Sequence, residues 1–141
     1  PYCDQTSQLF FKNQLGTAEI ISKHPEPIII CGLFLADTFI KNKFPSCEIS
    51  SFFQDGDLVF PNQSILTITG DCLSILMLER TLLNFIQRLS AIATLTAKYV
   101  DTVKNTNLKI LDTRKTTPGL RHLEKYAVYC GGGVNHRMGL Y

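Results

Sequence analysis

Residues 111–121 of the chain are Leu-Asp-Thr-Arg-Lys-Thr-Thr-Pro-Gly-Leu-Arg. The apolar residues that lead into this stretch predict a short strand over 108–112, and the Pro-Gly pair predicts a turn before the next helix. The strand therefore ends close to an adjacent guanidinium and ammonium, those of Arg114 and Lys115. The planar guanidinium of an arginine, which donates two parallel hydrogen bonds, beside the compact ammonium of a lysine is typical of a carboxylate or phosphate site. We therefore expect an anion site at the carboxyl end of this strand.

A second cationic pair follows in residues 131–137, which are Gly-Gly-Gly-Val-Asn-His-Arg. The glycines permit close approach of the backbone, and His136 and Arg137 are adjacent. Two cationic pairs indicate a ligand with several negative groups. Two other interpretations stay open from the residues alone. Arg114 and Lys115 also fit a solvated turn after a strand, and the second pair also fits a helix end whose cations bind free carbonyls.

The composition excludes some classes of protein. The chain has 141 residues, of which 45% are hydrophobic, and this is enough for a packed core. A formal net charge of +2 is too mild for a protein that coats nucleic acid or binds membranes through a polybasic surface. We therefore expect neither a nucleic acid nor a membrane as partner, and any anion binding must come from local clustering.

Neither a secretory signal nor a membrane span is predicted. Residues 1–8 are polar and contain an aspartate, unlike a signal sequence. The most apolar long window, 82–97, is interrupted by Asn84, Gln87 and Arg88, so it predicts a soluble helix.

The cysteine pattern predicts a reducing compartment. The five cysteines are odd in number, widely spaced and form no Cys-x-x-Cys pair, which argues against a disulfide framework and against a zinc site. We therefore predict a cytoplasmic protein whose chain supplies no metal site. The cysteines are Cys3, Cys31, Cys47, Cys72 and Cys130.

Residues 1–90 predict an amino-terminal α/β sandwich domain that includes a linking helix. Thr17–Ser22 and Pro27–Cys31 are short Ile-rich β segments, and a hairpin is their simplest arrangement. Apolar residues at helical spacing predict a helix over 32–43. Alternating residues and turn signals predict further strands over 47–53, 58–60 and 64–69.

A long helical pattern joins the two halves of the chain. It runs from Asp71, a predicted N-cap, to about Asn105. Because this span is long for one globular helix, we predict a break near Ser90 and Ala91. The second half, 91–141, then begins a separate domain.

The order of elements in 91–141 predicts a truncated α/β barrel. A helix, the strand over 108–112, a loop, a helix over 120–129 and a Gly-rich turn form a βα unit. Binding residues of such units lie at the carboxyl ends of the strands, where both cationic pairs fall. One strand and the start of another cannot close a barrel. The predicted fold class is therefore α/β (α+β): a sandwich domain followed by the first βα units of an incomplete α/β barrel.

Four motifs resemble the quinolinate phosphoribosyltransferase family, also called nicotinate-nucleotide pyrophosphorylase (carboxylating). They are Glu-Arg-Thr-Leu-Leu-Asn-Phe at 79–85, the stretch 111–121, Leu-Glu-Lys-Tyr-Ala at 123–127, and the glycine motif extended to 131–141. The resemblance is nearly continuous from residue 78 onward. Upstream it is looser and includes Asp-Gly-Asp-Leu-Val at 55–59 and Asp-Gln-Thr-Ser at 4–7, which follows Cys3 where the family usually has glycine.

The resemblance implies an enzyme, a pentosyltransferase of NAD biosynthesis. It would join quinolinate to phosphoribosyl pyrophosphate and give nicotinate mononucleotide, pyrophosphate and CO2. Mg²⁺ would accompany the phosphoribosyl donor, and the family assembles as a homodimer or higher oligomer in which one subunit's first domain caps its neighbour's barrel. The family continues past residue 141 with another lysine and with acidic residues that handle ribose and metal. We therefore expect the 141 residues to be a fragment that is inactive by itself.

The family motifs also imply a role for particular residues. Arg80 would reach into the partner's site, whereas Arg114, His136 and Arg137 would surround the pyridine dicarboxylate. Lys115 would lie nearer the phosphoribosyl pyrophosphate, and together with Arg114 it is the predicted catalytic residue. The predicted substrate-binding residues are Arg80, Thr113, Arg114, Lys115, His136 and Arg137.

Other functions and simpler interpretations stay open. The Asp-Gly-Asp turn at 55–57 and its strands resemble a lipoyl-carrier-like module, although the turn at 61–63 offers no lysine to carry a group. A truncated barrel that only mediates assembly, or a related phosphoribosyltransferase acting on another aromatic acid, is also compatible. Arg80 on its own fits a pair with Glu79 or a side chain that snorkels from an apolar helix to solvent. Arg121 and Lys125, four residues apart, fit solvent contacts on one helix face.

Overall fold

A computed structural model of the chain describes residues 5–11 and 13–137. Cys3, the start of the motif at 4–7 and the end of the motif at 131–141 lie outside the described residues. The described helices are α1 (Gln5–Phe10), α2 (Leu33–Lys43), α3 (Cys72–Val103) and α4 (Arg121–Cys130). The described strands are β1 (Leu15–Ile21), β2 (Ile28–Ile29), β3 (Glu48–Ser51), β4 (Leu58–Val59) and β5 (Ser64–Asp71). The mixed α/β class predicted from the sequence is confirmed.

The strands form two antiparallel sheets, and the predicted hairpin is wrong. β1, β5 and β3 form one sheet in that order, whereas β2 pairs with β4. The end of β1 has a different partner from the one predicted, because Ser22 N donates to Gln63 O at 3.0 Å and Asn62 N donates to Ser22 O at 2.8 Å. The backbone groups that a hairpin would need are therefore already paired with the turn before β5.

The main core lies between the first sheet and two helices. β5 is the central strand, and its apolar side chains meet those of α2 and the first half of α3. Burial of such side chains is the largest favourable contribution to folding, about 1.5–3 kcal/mol for each fully buried Leu or Ile. The buried residues of these elements are Leu33, Ala36, Ile40, Ile65, Leu66, Ile68, Ile75, Leu78, Leu82 and Ile86.

α3 is one continuous helix of 32 residues, so the break predicted near Ser90 and Ala91 is wrong. Its first turn is capped as predicted, because Asp71 Oδ2 accepts from Ser74 N at 2.9 Å. The helix has no proline or glycine to interrupt it. Ser90 is buried and accepts from Cys31 N at 2.9 Å, so its hydroxyl fastens the helix to the chain after β2.

The second half of α3 carries a smaller core that holds α4. Leu89 and Ala93 of α3, Ala127 of α4 and Cys31 are buried together. α4 agrees with the predicted helix over 120–129. Packing of α4 against α3 fixes the two loops that flank α4, and these loops contain the cationic pairs.

Candidate anion-binding site

A single parallel bridge replaces the strand predicted over 108–112. The bridge joins Leu111 to Val134. Val134 N donates to Ile110 O at 2.8 Å, and Asp112 N donates to Val134 O at 3.1 Å. A longer strand is not formed because no other segment among residues 5–11 and 13–137 pairs with this one. The two segments leave the bridge in the same direction.

The bridge gives the arginines of the two cationic pairs equivalent positions along their loops. Arg114 lies three residues after Leu111, and Arg137 lies three residues after Val134. Because neighbouring parallel segments are about 4.8 Å apart, the two loops start side by side. The two loops that carry the cations thus begin at the same edge.

The cationic side chains are exposed and lack anionic partners. Arg114, Lys115, His136 and Arg137 are all exposed. Within the described part of the chain, none of these four side chains forms a hydrogen bond or an ion pair. Unpaired cations from neighbouring loops create a positive local potential that attracts anions. The convergence of all four on one ligand stays a prediction.

Arg80 lies apart from this cluster. It is exposed on α3, eight residues before Arg88, which is roughly 12 Å along the helix axis. Arg88 donates a hydrogen bond to Thr117 in the loop before α4, whereas no hydrogen bond or ion pair within residues 5–11 and 13–137 joins the Arg80 side chain to that loop. Its predicted role in the site of a partner subunit stays a prediction.

Arg88 and Glu124 fasten the loop between the bridge and α4. Arg88 Nη2 donates to Glu124 Oε1 at 2.6 Å and to Thr117 Oγ1 at 2.6 Å, and Thr117 N donates to Glu124 Oε2 at 3.1 Å. Burial raises the pKa of Glu124, but the hydrogen bonds from Arg88 and Thr117 outweigh it, so the pKa is lowered overall. Glu124 is therefore a charged anchor for the loop at neutral pH.

The loop that carries the first cationic pair also has internal hydrogen bonds. Lys115 N donates to Thr113 Oγ1 at 3.1 Å, and Arg121 Nη2 donates to Arg114 O at 3.4 Å. The Thr113 hydroxyl thus closes a local turn. The hydrogen bond from Lys115 N to the Thr113 hydroxyl holds the main chain at the predicted site. The cationic side chains of Arg114 and Lys115 remain in solvent.

A buried ion pair underlies the two loops. Lys125 Nζ lies 2.5 Å from Asp112 Oδ2, and each side chain is 1% exposed. The interpretation of Lys125 as a solvent contact is therefore wrong. Asp112 Oδ1 accepts from His136 N at 2.9 Å, and Lys125 Nζ donates to His136 O at 2.8 Å. The pair thereby joins the start of one loop to the main chain of the other.

The glycines at 131–133 serve packing between the helices. A Cβ on Gly131 would lie 2.3 Å from Ala93 O, and one on Gly133 would lie 2.6 Å from Val128 Cγ1. The close backbone approach expected of these glycines is thus an approach to α3 and α4. It brings the segment that follows α4 back to the bridge.

The cavities that adjoin the described elements include one between β1 and α3 and one beside residues 116–119. The larger, of about 700 Å³, lies between β1 and α3 and is lined mainly by apolar side chains such as Ile20, Ile65 and Ile86. The smaller, of about 460 Å³, is lined by residues 116–119 with Arg121 and His122, and so adjoins the cationic loop. None of the predicted site residues lines either cavity.

Sequence reasoning missed the residues that hold the site. Arg88 and Lys125 carried no local signal, because each partner is distant along the chain. Asp112 had a weak signal, since a carboxylate stands directly before the cations. Among residues 5–11 and 13–137, no group of three His, Cys, Asp or Glu side chains fits a metal ion. No helix in this part of the chain combines the length and the apolar character that a bilayer span requires.

Comparisons with known proteins agree with these observations. The family model described as quinolinate phosphoribosyl transferase, N-terminal domain, matches residues 4–90, and the one described as the C-terminal domain matches 92–141. A probable nicotinate-nucleotide pyrophosphorylase (carboxylating) of Bacillus subtilis is 44% identical over 142 residues, which cover 98% of this chain and 47% of that protein. A nicotinate-nucleotide pyrophosphorylase (carboxylating) of Mycobacterium leprae is 44% identical over 117 residues, which cover 82% and 41%.

Solved structures show the same likeness in three dimensions. The nicotinate-nucleotide pyrophosphorylase from Francisella tularensis matches with a TM-score of 0.91 and 43% identity, over 98% of this chain and 48% of that chain. The one from Ehrlichia chaffeensis matches with a TM-score of 0.90 and 34% identity, over 97% and 49%. The chain thus spans about half the length of the relatives that it matches. Its sequence motifs, its fold and both family models confirm the resemblance: the chain belongs to the quinolinate phosphoribosyl transferase family.

Proposed function

We propose that the protein containing this chain is a phosphoribosyltransferase of NAD biosynthesis. It joins quinolinate to phosphoribosyl pyrophosphate and releases nicotinate mononucleotide, pyrophosphate and CO2. One observation carries the proposal: in a chain of this family, the Leu111–Val134 bridge joins the starts of the two loops that carry the cationic residues, and among the described residues these cations have no anionic partner. The relatives at 44% identity are named for this activity.

Quinolinate suits this site because it carries two carboxylates on a flat ring. Guanidinium forks bind carboxylates with two parallel hydrogen bonds, and Arg114 and Arg137 supply two forks from adjacent loops. His136 adds a third donor. An analogue with one carboxylate leaves a guanidinium without its partner, so the site discriminates against it.

The chemistry requires positioning and stabilisation of charge. The ring nitrogen of quinolinate forms a bond to C1 of the ribose while the bond from C1 to pyrophosphate breaks, and the electron pair leaves with pyrophosphate. The carboxylate next to the ring nitrogen then departs as CO2, and water supplies the proton that replaces it. Lys115 is proposed to stabilise the leaving pyrophosphate, and Arg114 orients the ring.

The proposal includes a metal, an assembly and a location. Mg²⁺ is proposed to accompany the phosphoribosyl pyrophosphate, as membership of the family implies. The assembly is a homodimer or higher oligomer in which Arg80 enters the partner's site. Residues 1–90 and 91–141 are proposed as parts of two domains. The described cysteines are all free thiols, which supports a cytoplasmic location.

A carrier or assembly role is less well supported. Asp55 of the turn that resembles a carrier module instead caps α2, because its Oδ1 accepts from Gly32 N and Leu33 N, each at 2.8 Å. The turn therefore serves the fold and displays no lysine.

Titration calorimetry on the full-length protein tests the proposed function. We expect quinolinate to bind at one site per subunit and nicotinate, which has a single carboxylate, to bind at least about tenfold more weakly. The matched variant Arg114→Lys keeps the charge but loses the fork, so its affinity for quinolinate falls by about tenfold or more. A folded wild-type protein that shows no binding at millimolar quinolinate refutes the proposal.

A further inference from the structure

The buried pair of Asp112 and Lys125 differs from the other ion pairs of the described residues. Each of its side chains is 1% exposed, whereas the other four pairs each include a side chain that is more than half exposed. Removing two charges from water is unfavourable, and an apolar pair of similar size often stabilises a protein as well or better. Stability alone therefore does not account for this pair, which indicates a role in geometry.

The contacts of the pair converge on the main chain at His136. Asp112 Oδ1 accepts from His136 N at 2.9 Å, while Lys125 Nζ donates to His136 O at 2.8 Å. Asn135 adds two hydrogen bonds when its side-chain amide nitrogen faces the neighbouring acceptors. In this orientation the nitrogen donates to Asp112 Oδ2 at 2.8 Å and to Lys125 O at 2.9 Å. Both polar main-chain groups of His136 are thus held by one buried pair.

The residue after this contact has an unusual backbone. Arg137 has φ of 52°, in the left-handed region that non-glycine residues rarely adopt. Such a conformation persists where the surrounding structure holds it in place. The pair of Asp112 and Lys125 supplies that restraint one residue earlier, and Asp112 itself lies two residues before Arg114.

We propose that Asp112 and Lys125 are positioning residues which set the spacing between the two cationic pairs and thereby determine the affinity for quinolinate. This inference rests on the proposed function. Neither side chain touches the ligand. They act through the main chain of His136, so that Arg137 faces the dicarboxylate at the distance at which Arg114 also reaches it.

Two variants and a control separate positioning from stability in the full-length protein. Lys125→Met leaves a lone buried carboxylate, so both the thermal midpoint and the affinity for quinolinate fall. The double variant Asp112→Asn with Lys125→Met removes both charges. The amide oxygen introduced by the first substitution still accepts from His136 N, and the side-chain amide of Asn135 turns so that its oxygen accepts from the new amide nitrogen, so the midpoint recovers. Ala127→Gly weakens α4, in which Ala127 is fully buried, without touching the pair.

We expect the KM for quinolinate and the thermal midpoint to change independently in these variants. In the double variant the KM for quinolinate stays at least about tenfold above wild type, because the hydrogen bond to His136 O is still absent. Ala127→Gly lowers the midpoint and leaves this KM within about threefold of wild type. A double variant whose KM recovers together with its midpoint, to within about threefold, overturns the proposal.

A second measurement keeps this inference distinct from the proposed function. If the wild-type protein binds no quinolinate, the proposed function fails, and the positioning role is judged by hydrogen exchange. The peptide containing residues 134–137 is then expected to exchange at least about threefold faster in Lys125→Met than in wild type or Ala127→Gly. Equal exchange rates in the three proteins overturn the positioning role.

Discussion

Replacing Gly131 by alanine is expected to separate α4 from α3. The added Cβ would lie 2.3 Å from Ala93 O and 2.7 Å from Thr96 Cβ, both on α3. Real Cβ atoms essentially never approach closer than 3.0 Å, so the contact with the Ala93 carbonyl must lengthen by at least about 0.7 Å. Because Ala93 O belongs to the helix backbone, no side-chain rotation relieves the clash.

The expected loss of stability is about 2–3 kcal/mol, near the upper end of the range for an overpacked core. The displacement also moves the segment that begins at Gly131 and ends at Arg137. We expect the KM for quinolinate to rise at least about tenfold, since shifts of this size at binding residues reduce activity strongly. Thermal unfolding and initial-rate kinetics on the full-length protein measure the two effects.

Gly56→Ala is the matched control for this variant. Its backbone has φ of +98°, and its added Cβ would meet no heavy atom closer than 3.6 Å. Strain of the left-handed backbone then lowers stability by about 1–2 kcal/mol without displacing a helix. The KM for quinolinate is expected to stay unchanged. A Gly131→Ala protein with the wild-type midpoint and KM would refute the reasoning, because it would show that α3 and α4 separate without penalty.

Three further predictions concern stability and reactivity. Burial raises the pKa of Glu124, but hydrogen bonds from Arg88 and Thr117 lower it by more, so the pKa of this carboxyl lies below its ordinary value; the stabilisation from the charged carboxylate is therefore present above the ordinary glutamate pKa and is lost as the pH falls below it. The difference in thermal midpoint between wild type and Glu124→Gln should therefore shrink between about pH 6 and pH 3, and a constant difference would contradict this. Burial raises the pKa of the thiols of Cys31 and Cys130, so both should resist iodoacetamide in the folded protein and react after denaturation, as followed by mass spectrometry. Leu82 is fully buried, so Leu82→Ala should lower the free energy of unfolding by about 2–5 kcal/mol in chemical denaturation, and a loss below about 1 kcal/mol would contradict its place in the core.

The sequence predicts the elements whose signals are local. The N-cap at Asp71 and the helices α2 and α4 follow from periodicity and from residues a few positions apart, and the structure confirms them. The family motifs are local in the same sense. The adjacency of Arg114 and Lys115 likewise identifies a cationic loop without knowledge of the fold.

The wrong predictions depend on contacts between distant residues. The sequence predicts a helix break near Ser90, but α3 continues through this residue, and the Ser90 hydroxyl accepts a hydrogen bond from Cys31 N, 59 residues earlier. Lys125 resembles a solvent contact because nothing near it in the sequence reveals that Asp112 neutralises it in the interior. Strand pairing has the same dependence, since the partner of β1 is β5, more than forty residues later. Hydrophobic periodicity reports which residues are buried but not what they meet.

The continuity of α3 has a consequence for how this chain tolerates changes in length. Its first half faces the main core through Leu82 and Ile86, and its second half holds α4 through Leu89 and Ala93. Each residue of an α-helix turns the chain by about 100°, so a single insertion between Ile86 and Leu89 would rotate every later side chain to a different side. Loops of homologous proteins absorb insertions freely, whereas this helix has no such freedom. Natural variants of the chain should therefore differ in the composition of α3 and keep its residue count.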